Sequence, residues 1–308
     1  MDPKPITFDV SEAVGEPAQL AGSYFAAGGP AGDRPLLVCL PGGTYTRGYW
    51  DLQGPGHAGY SFARAAAGEG FPVVTLDSLG TGESTRPARD IELTDQAAAA
   101  AAAVAQIPEV LGVATPAVAV GHSMGGYVSM LQQAAFGSYA GLAILGTTNG
   151  AVGQLDLPPE MIDAAATPDG RAALVDQMAS GIPDPYVTGD RGPLRSWFHL
   201  SDVPDELIAA DEAATLTVVP RRCAAGSTVP GITAEAAATV TVPVLLAYGE
   251  VDVSTDPHRE PAFFGASPDV TLYLLPGSGH CHNLAGTRHR LWDRLLWWCE
   301  TAVTPTLG

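Results

Sequence analysis

Basic side chains are scarce: 15 Lys and Arg stand against 33 Asp and Glu, for a net charge of −18. A surface of that sign repels phosphate backbones and anionic membranes, so neither nucleic acid nor a membrane is an expected partner. No apolar run reaches the roughly 18 residues needed to span a bilayer. The opening MDPKPITFDV has no basic start followed by an apolar core, so no leader peptide is read there and a cytoplasmic location is expected. Cysteine is limited to Cys39, Cys223, Cys281 and Cys299. Their spacing fits neither a metal site nor a disulfide framework and reads as reduced, buried thiols. His280 and His282 form an H-x-H pair, but no third ligand is suitably spaced, so no metal is expected. No internal repeat is visible.

What is present is ample apolar material: 46% of 308 residues are hydrophobic, enough for a full-sized core. Short continuous apolar runs read as strands covered on both faces, as in a parallel sheet. They are Leu36–Leu40, Pro72–Leu76, Ala117–Val120, Leu142–Leu145, Val242–Tyr248 and Val270–Leu275. Helical stretches lie between them: His57–Ala67, the alanine-rich Thr94–Gln106 with Thr94 and Asp95 available as N-cap, Gly125–Ala135, and Arg288–Glu300. The segment through Phe25 reads as one or two antiparallel edge strands. The fold class is therefore α/β, a mostly parallel central sheet with helices on both faces. From Gly150 to Ala238 the rhythm breaks. No strong strand is expected there, only short helices in PPEMIDAAA, GRAALVDQMASG, RGPLRSWFHL and PDELIAADEAA, as a helical insertion or a small domain.

The chemistry centres on Gly121-His122-Ser123-Met124-Gly125, a G-x-S-x-G pattern that follows a strand and opens a helix. A sharp turn there strains the serine backbone and needs tiny neighbours, because strand and helix approach closely. A serine hydroxyl requires a general base, and the base an orienting acid, in the chain order Ser, acid, His. Asp252 lies just past one strand end and His280 just past the next. Glu250 and Asp256 compete with Asp252, and His282 with His280. Position favours Asp252, and the Gly-Ser-Gly turn favours His280. His122 reads as a packed residue, not a base. An oxyanion hole needs two converging N–H groups. One is assigned to Met124 and the other to Gly43 in LPGGTYTRGYW, with Thr44 as second choice.

Four stretches in order, PGGTYTRGYW, LDSLGTGEST, GHSMGG and GEVD…GSGH, resemble the capped, esterase-like α/β-hydrolase fold. Pro41 stands where that family usually has histidine. The resemblance spans most of the chain. It implies Ser123 as nucleophile, Asp252 as acid, His280 as base, and Gly43 and Met124 as the oxyanion hole. It implies a core of residues 1–149 and 239–308, with 150–238 as a helical cap. It leaves hydrolysis of esters, lactones, thioesters, amides and carbon–carbon bonds and cofactor-free perhydrolysis open, with no cofactor; the alternative readings are a perhydrolase or acyltransferase on the same residues, or a small-molecule receptor on the same fold. A small to medium, mainly apolar ester or lactone is the expected partner. Monomer and homodimer both stay open. Candidate pocket residues are Tyr45, Trp50, Tyr186, Trp197 and Phe198, each with packing as its alternative reading. Met161, Met178, Leu200 and Tyr49 share that ambiguity. Arg221-Arg222 reads first as a solvated pair and second as a carboxylate grip.

Overall fold

The computed structural model describes residues 2–28, 34–53 and 58–303. Eight strands form one sheet. They are β1 (Lys4–Asp9), β2 (Gln19–Phe25), β3 (Leu36–Leu40), β4 (Val73–Leu76), β5 (Ala117–His122), β6 (Gly141–Leu145), and, further along the chain, Val244–Gly249 and Val270–Leu275. A two-stranded ribbon precedes the last two: β7 (Tyr186–Thr188) and β8 (Val218–Pro220), so Val244–Gly249 is β9 and Val270–Leu275 is β10. The order across the sheet is β1-β2-β4-β3-β5-β6-β9-β10. The first two strands run antiparallel, and β3 to β6, β9 and β10 are parallel.

Alternation within the strands explains their unbroken apolar character. Leu36, Val38 and Leu40 enter one core cluster while Leu37 and Cys39 enter the other. The same division separates Leu142 and Ile144 from Ala143 and Leu145. Helices Leu93–Leu111 and Met124–Phe136 contribute to the first cluster, and Phe62–Gly68 and Arg288–Trp298 to the second. All four cysteines are buried. No helix among the described residues is long and apolar enough to cross a membrane.

Element ends differ from expectation for local reasons. β4 and β9 begin after Pro72 and Pro243, which have no N–H to give a ladder. The helix expected over His57–Ala67 begins at Phe62 because Ser61 caps it, its Oγ accepting from the Arg64 N–H at 3.0 Å; His57 itself lies outside the described residues. The alanine-rich helix starts earlier than Thr94. Its N-cap is Glu92, and Asp95 closes the capping box by accepting the Glu92 N–H at 2.8 Å. The last helix gives way at Cys299 to a π-helical turn.

Between β6 and β9 the chain is mostly helical, as read, but it also contains the unforeseen β7–β8 ribbon. Ala165, Leu174, Val175, Ala179, Ala225 and Val229 give this segment a small core of its own, and Met161 and Met178 pack there. The arginine pair is half-buried and ion-paired within the chain. Arg221 bonds both Asp90 carboxylate oxygens at 2.8 Å, and Arg222 pairs with Glu92 and Asp176. The bonds to Asp90 and Glu92 fasten the inserted segment to the loop before the alanine-rich helix, and that to Asp176 lies within the segment.

Candidate active site

Ser123 stands between β5 and the helix Met124–Phe136 with φ of 51°. Its neighbours are glycine for measurable reasons. A Cβ at Gly121 would sit 2.4 Å from the Gly125 carbonyl oxygen, one at Gly125 2.2 Å from the Leu40 oxygen, and one at Gly126 2.1 Å from Thr147 Oγ1. Strand, helix and the loop after β3 therefore meet with no room for side chains. Ser123 is half-buried, and its N–H donates to the Leu145 carbonyl at 2.8 Å.

The next residue, Gly146, joins serine to acid and base. It has φ of 58°, and a Cβ there would lie 2.9 Å from His280 Nδ1 and 3.2 Å from Asp252 Oδ1. His280 Nδ1 and Asp252 Oδ1 are 2.7 Å apart, with both side chains almost wholly buried. An imidazole that donates from Nδ1 carries its lone pair on Nε2, the atom a general base uses.

Both histidines of the H-x-H pair meet the same acid. His282 Nε2 lies 2.7 Å from Asp252 Oδ2. The backbone N–H groups of Gly249 and Val253 add bonds of 2.7 Å each. Burial alone would raise the Asp252 pKa, but the two imidazoles and their hydrogen bonds hold it well below the usual carboxylate range. The competing acids do other work: Glu250 accepts the Gly277 N–H at 2.9 Å, and Asp256 opens a 3-10 turn. His122 is a packed residue, as read. Its Nε2 donates to the His280 carbonyl at 2.9 Å, and its ring stacks on Tyr49. Burial first, then His280 and His282, depress its pKa so that it stays neutral.

The loop after β3 lies against the elbow. A Cβ on Gly42 would be 3.1 Å from Ser123 Cβ, and one on Gly43 would be 3.9 Å from Met124 Sδ. Among the described residues, the N–H groups of Gly43, Thr44 and Met124 have no protein acceptor, and Ser123 Oγ has no hydrogen-bond partner. Asp77 of the LDSLGTGEST stretch braces this loop from below. It accepts the Arg47 N–H at 2.7 Å and the Glu83 N–H at 3.0 Å, and pairs with the Arg47 guanidinium.

The candidate pocket residues divide. Trp197 and Phe198 each place a ring 5.1 Å from the His280 ring. Their carbonyls accept the N–H groups of His280 and Cys281 at 2.8 and 2.9 Å. Tyr45 and Trp50 are each only 1% exposed and belong to the core below the loop. Tyr186 is buried with its hydroxyl on the Pro87 carbonyl at 2.6 Å. These three are packing residues. An apolar cavity of about 580 Å³ lies away from Ser123, beside Leu36, Ala101, Ile107, Ala117 and Phe136.

Sequence reasoning missed Gly146, the shared acid of His282, and Glu260. Glu260 is buried, accepts from Thr148 Oγ1, the Asn149 N–H and Ser254 Oγ, and so ties the loop after β6 to the acid loop. A glycine directly after an apolar strand was the one available signal for Gly146.

A model of the alpha/beta hydrolase family matches residues 37–290. No curated protein matches the sequence. Among solved structures, a thermophilic esterase from Thermogutta terrifontis is similar at 18% identity, over 98% of this chain and 100% of that one, with a TM-score of 0.62. The esterase RhEst1 from Rhodococcus sp. is similar at 19% identity, over 98% and 100%, with a TM-score of 0.60. A bromoperoxidase from Bacillus anthracis is similar at 16% identity, over 96% and 99%, with a TM-score of 0.62. At these identities the likeness is one of fold.

Proposed function

The chain belongs to the alpha/beta hydrolase family, and on that footing we propose that it is a serine hydrolase of small to medium, mainly apolar carboxylic esters or lactones. The observation that carries this reading is the left-handed Ser123 bonded to Leu145, whose neighbour Gly146 lies against an Asp252-paired His280. Substrate enters beside Ser123, and His280 Nε2 takes the hydroxyl proton as Oγ attacks the carbonyl carbon. The developing oxyanion accepts the N–H groups of Gly43 and Met124, both of which lack protein acceptors among the described residues. Collapse of the adduct expels the alcohol with the proton from His280 and leaves an acyl group on Ser123. Water, deprotonated by His280, then releases the acid. Asp252 stays ionised and keeps the Nδ1–H tautomer of His280.

Residues 150–238 act as a cap in this reading. Trp197 and Phe198 present aromatic rings to the base, which suits an apolar substrate and keeps bulk water away from the acyl-enzyme. The test is hydrolysis of a short-chain p-nitrophenyl ester series and a γ-lactone series. The parent turns over at least one series, and Ser123→Ala lowers kcat by about 1,000-fold or more. Unchanged turnover in that variant would sink the proposal.

A further inference from the structure

Among the described residues, only two that are not glycine have left-handed φ: Ser123 and Thr44. Thr44, at 66°, is β-branched, and such residues avoid this region strongly. Within its own loop Thr44 sits in a turn that the Tyr45 N–H closes on the Gly42 carbonyl at 3.3 Å, and the further contacts that hold it come from the inserted segment. Arg191 Nη2 donates to the Thr44 carbonyl at 2.6 Å, and its Nε to Thr44 Oγ1 at 3.2 Å. The Thr217 N–H shares the same carbonyl at 3.0 Å, while the Thr46 N–H donates to the Thr215 carbonyl at 2.9 Å. The backbone at Gly189 lies directly on the Thr44 side chain, since a Cβ there would fall 2.2 Å from Thr44 Cγ2.

Arg191 is itself fixed from behind. It is 3% exposed, and its Nη1 donates to Asp211 Oδ2 at 3.2 Å and Thr215 Oγ1 at 3.1 Å. Its guanidinium lies 3.4 Å above the Tyr45 ring, and the Tyr45 hydroxyl bonds Asp211 at 3.0 Å. A buried arginine with every edge occupied forms a rigid support, because its planar fork has one arrangement that satisfies all partners.

We propose that Arg191 is a positioning residue for the oxyanion hole: it locks Thr44 in the left-handed conformation and thereby aims the Gly43–Thr44 N–H groups at the carbonyl oxygen held over Ser123. The inference rests on the hydrolase reading above. Released from Arg191, threonine relaxes to negative φ, the loop backbone shifts at Gly43–Thr44, and the Gly43 N–H is no longer aimed at the carbonyl oxygen. Glycine populates left-handed φ without support. Replacing Thr44 with glycine should therefore uncouple turnover from Arg191.

The experiment is a kinetic cycle with Arg191→Lys, which keeps a charge beside Asp211 but loses the fork, and Thr44→Gly. Folding of each variant is checked by circular dichroism, and kcat and KM are measured on the best ester. Arg191→Lys should lower kcat about 100-fold, comparable to losing an oxyanion donor, with KM changed less than about threefold. On the Thr44→Gly background the same change should cost less than about tenfold. Gly189→Ala, which pushes Thr44 from its other side, gives a second route if the lysine variant does not fold. It should lower kcat on the parent background and not on Thr44→Gly. An unchanged kcat, or an equal loss on both backgrounds, overturns the positioning role while the hydrolase reading stands. A parent that neither turns over esters nor is labelled at Ser123 overturns both.

Discussion

Gly146 carries no reactive atom, yet it is the residue whose replacement should harm the site most cheaply. It needs left-handed φ, and any Cβ would press on His280 Nδ1 and Asp252 Oδ1. Gly146→Ala should lower kcat/KM about 100-fold by displacing the base, and stability by about 1–3 kcal/mol through backbone strain. Ester kinetics beside urea unfolding would check both; wild-type kinetics in a folded variant would refute the steric account. Ser123, Asp252 and His280 were legible because each follows a strand end, and a parallel sheet gathers such ends on one rim. Gly146, Arg191 and the second imidazole on Asp252 were not. Their roles come from contacts between loops far apart in the chain, which no local pattern records. The H-x-H pair invited a choice between histidines, whereas the carboxylate has an oxygen for each.

At the scale of elements, continuous apolar runs marked the strands because both faces of the sheet are covered; proline set the starts of β4 and β9, while β5 runs on through Gly121 and His122 to the serine turn. The alanine-rich helix shows the limit. Asp95 was visible as a capping residue, but its place as the third helical residue answering Glu92 depends on where the chain turns. Asp95→Ala should cost about 1 kcal/mol by opening the capping box, read as a lower urea midpoint at unchanged slope. No shift in midpoint would mean that Arg89 and the flanking loop, not the box, hold that end. The β7–β8 ribbon escaped notice because strands so short carry almost no periodic signal. It nevertheless places Gly189, Arg191 and Thr217 against the loop after β3, and the nearby Trp197-Phe198 pair against the histidine loop. The inserted segment thus grips both the loop after β3 and the loop after β10.

Across the whole molecule, two buried groups give stability an opposed pH dependence. His199 is held down to about 4, first by burial and then by Arg195 and Arg191. As pH falls below about 6.5, the unfolded chain takes up a proton that the folded one refuses, so stability drops. Asp211 is raised to about 6, chiefly by burial against the pull of Arg191, with Tyr45 and Thr215 donating to it and Glu212 repelling it. Above about 4 the unfolded chain ionises first, so this group's cost grows with pH up to about 6. The two partly cancel between pH 4 and 6, which makes a difference measurement necessary. His199→Gln should remove about 2 kcal/mol of the parent's loss between pH 7 and pH 5, seen by urea unfolding at both values. Parallel pH profiles for parent and variant would show that His199 titrates normally.

The most direct measurement of the central claim is the intact mass of the protein after a fluorophosphonate, with the adduct mapped by peptide sequencing. The account predicts one adduct per chain, on Ser123, and none in Ser123→Ala. A folded protein left unmodified, or modified elsewhere, would contradict it: Ser123, His280 and Asp252 would then be neighbours that do not act together.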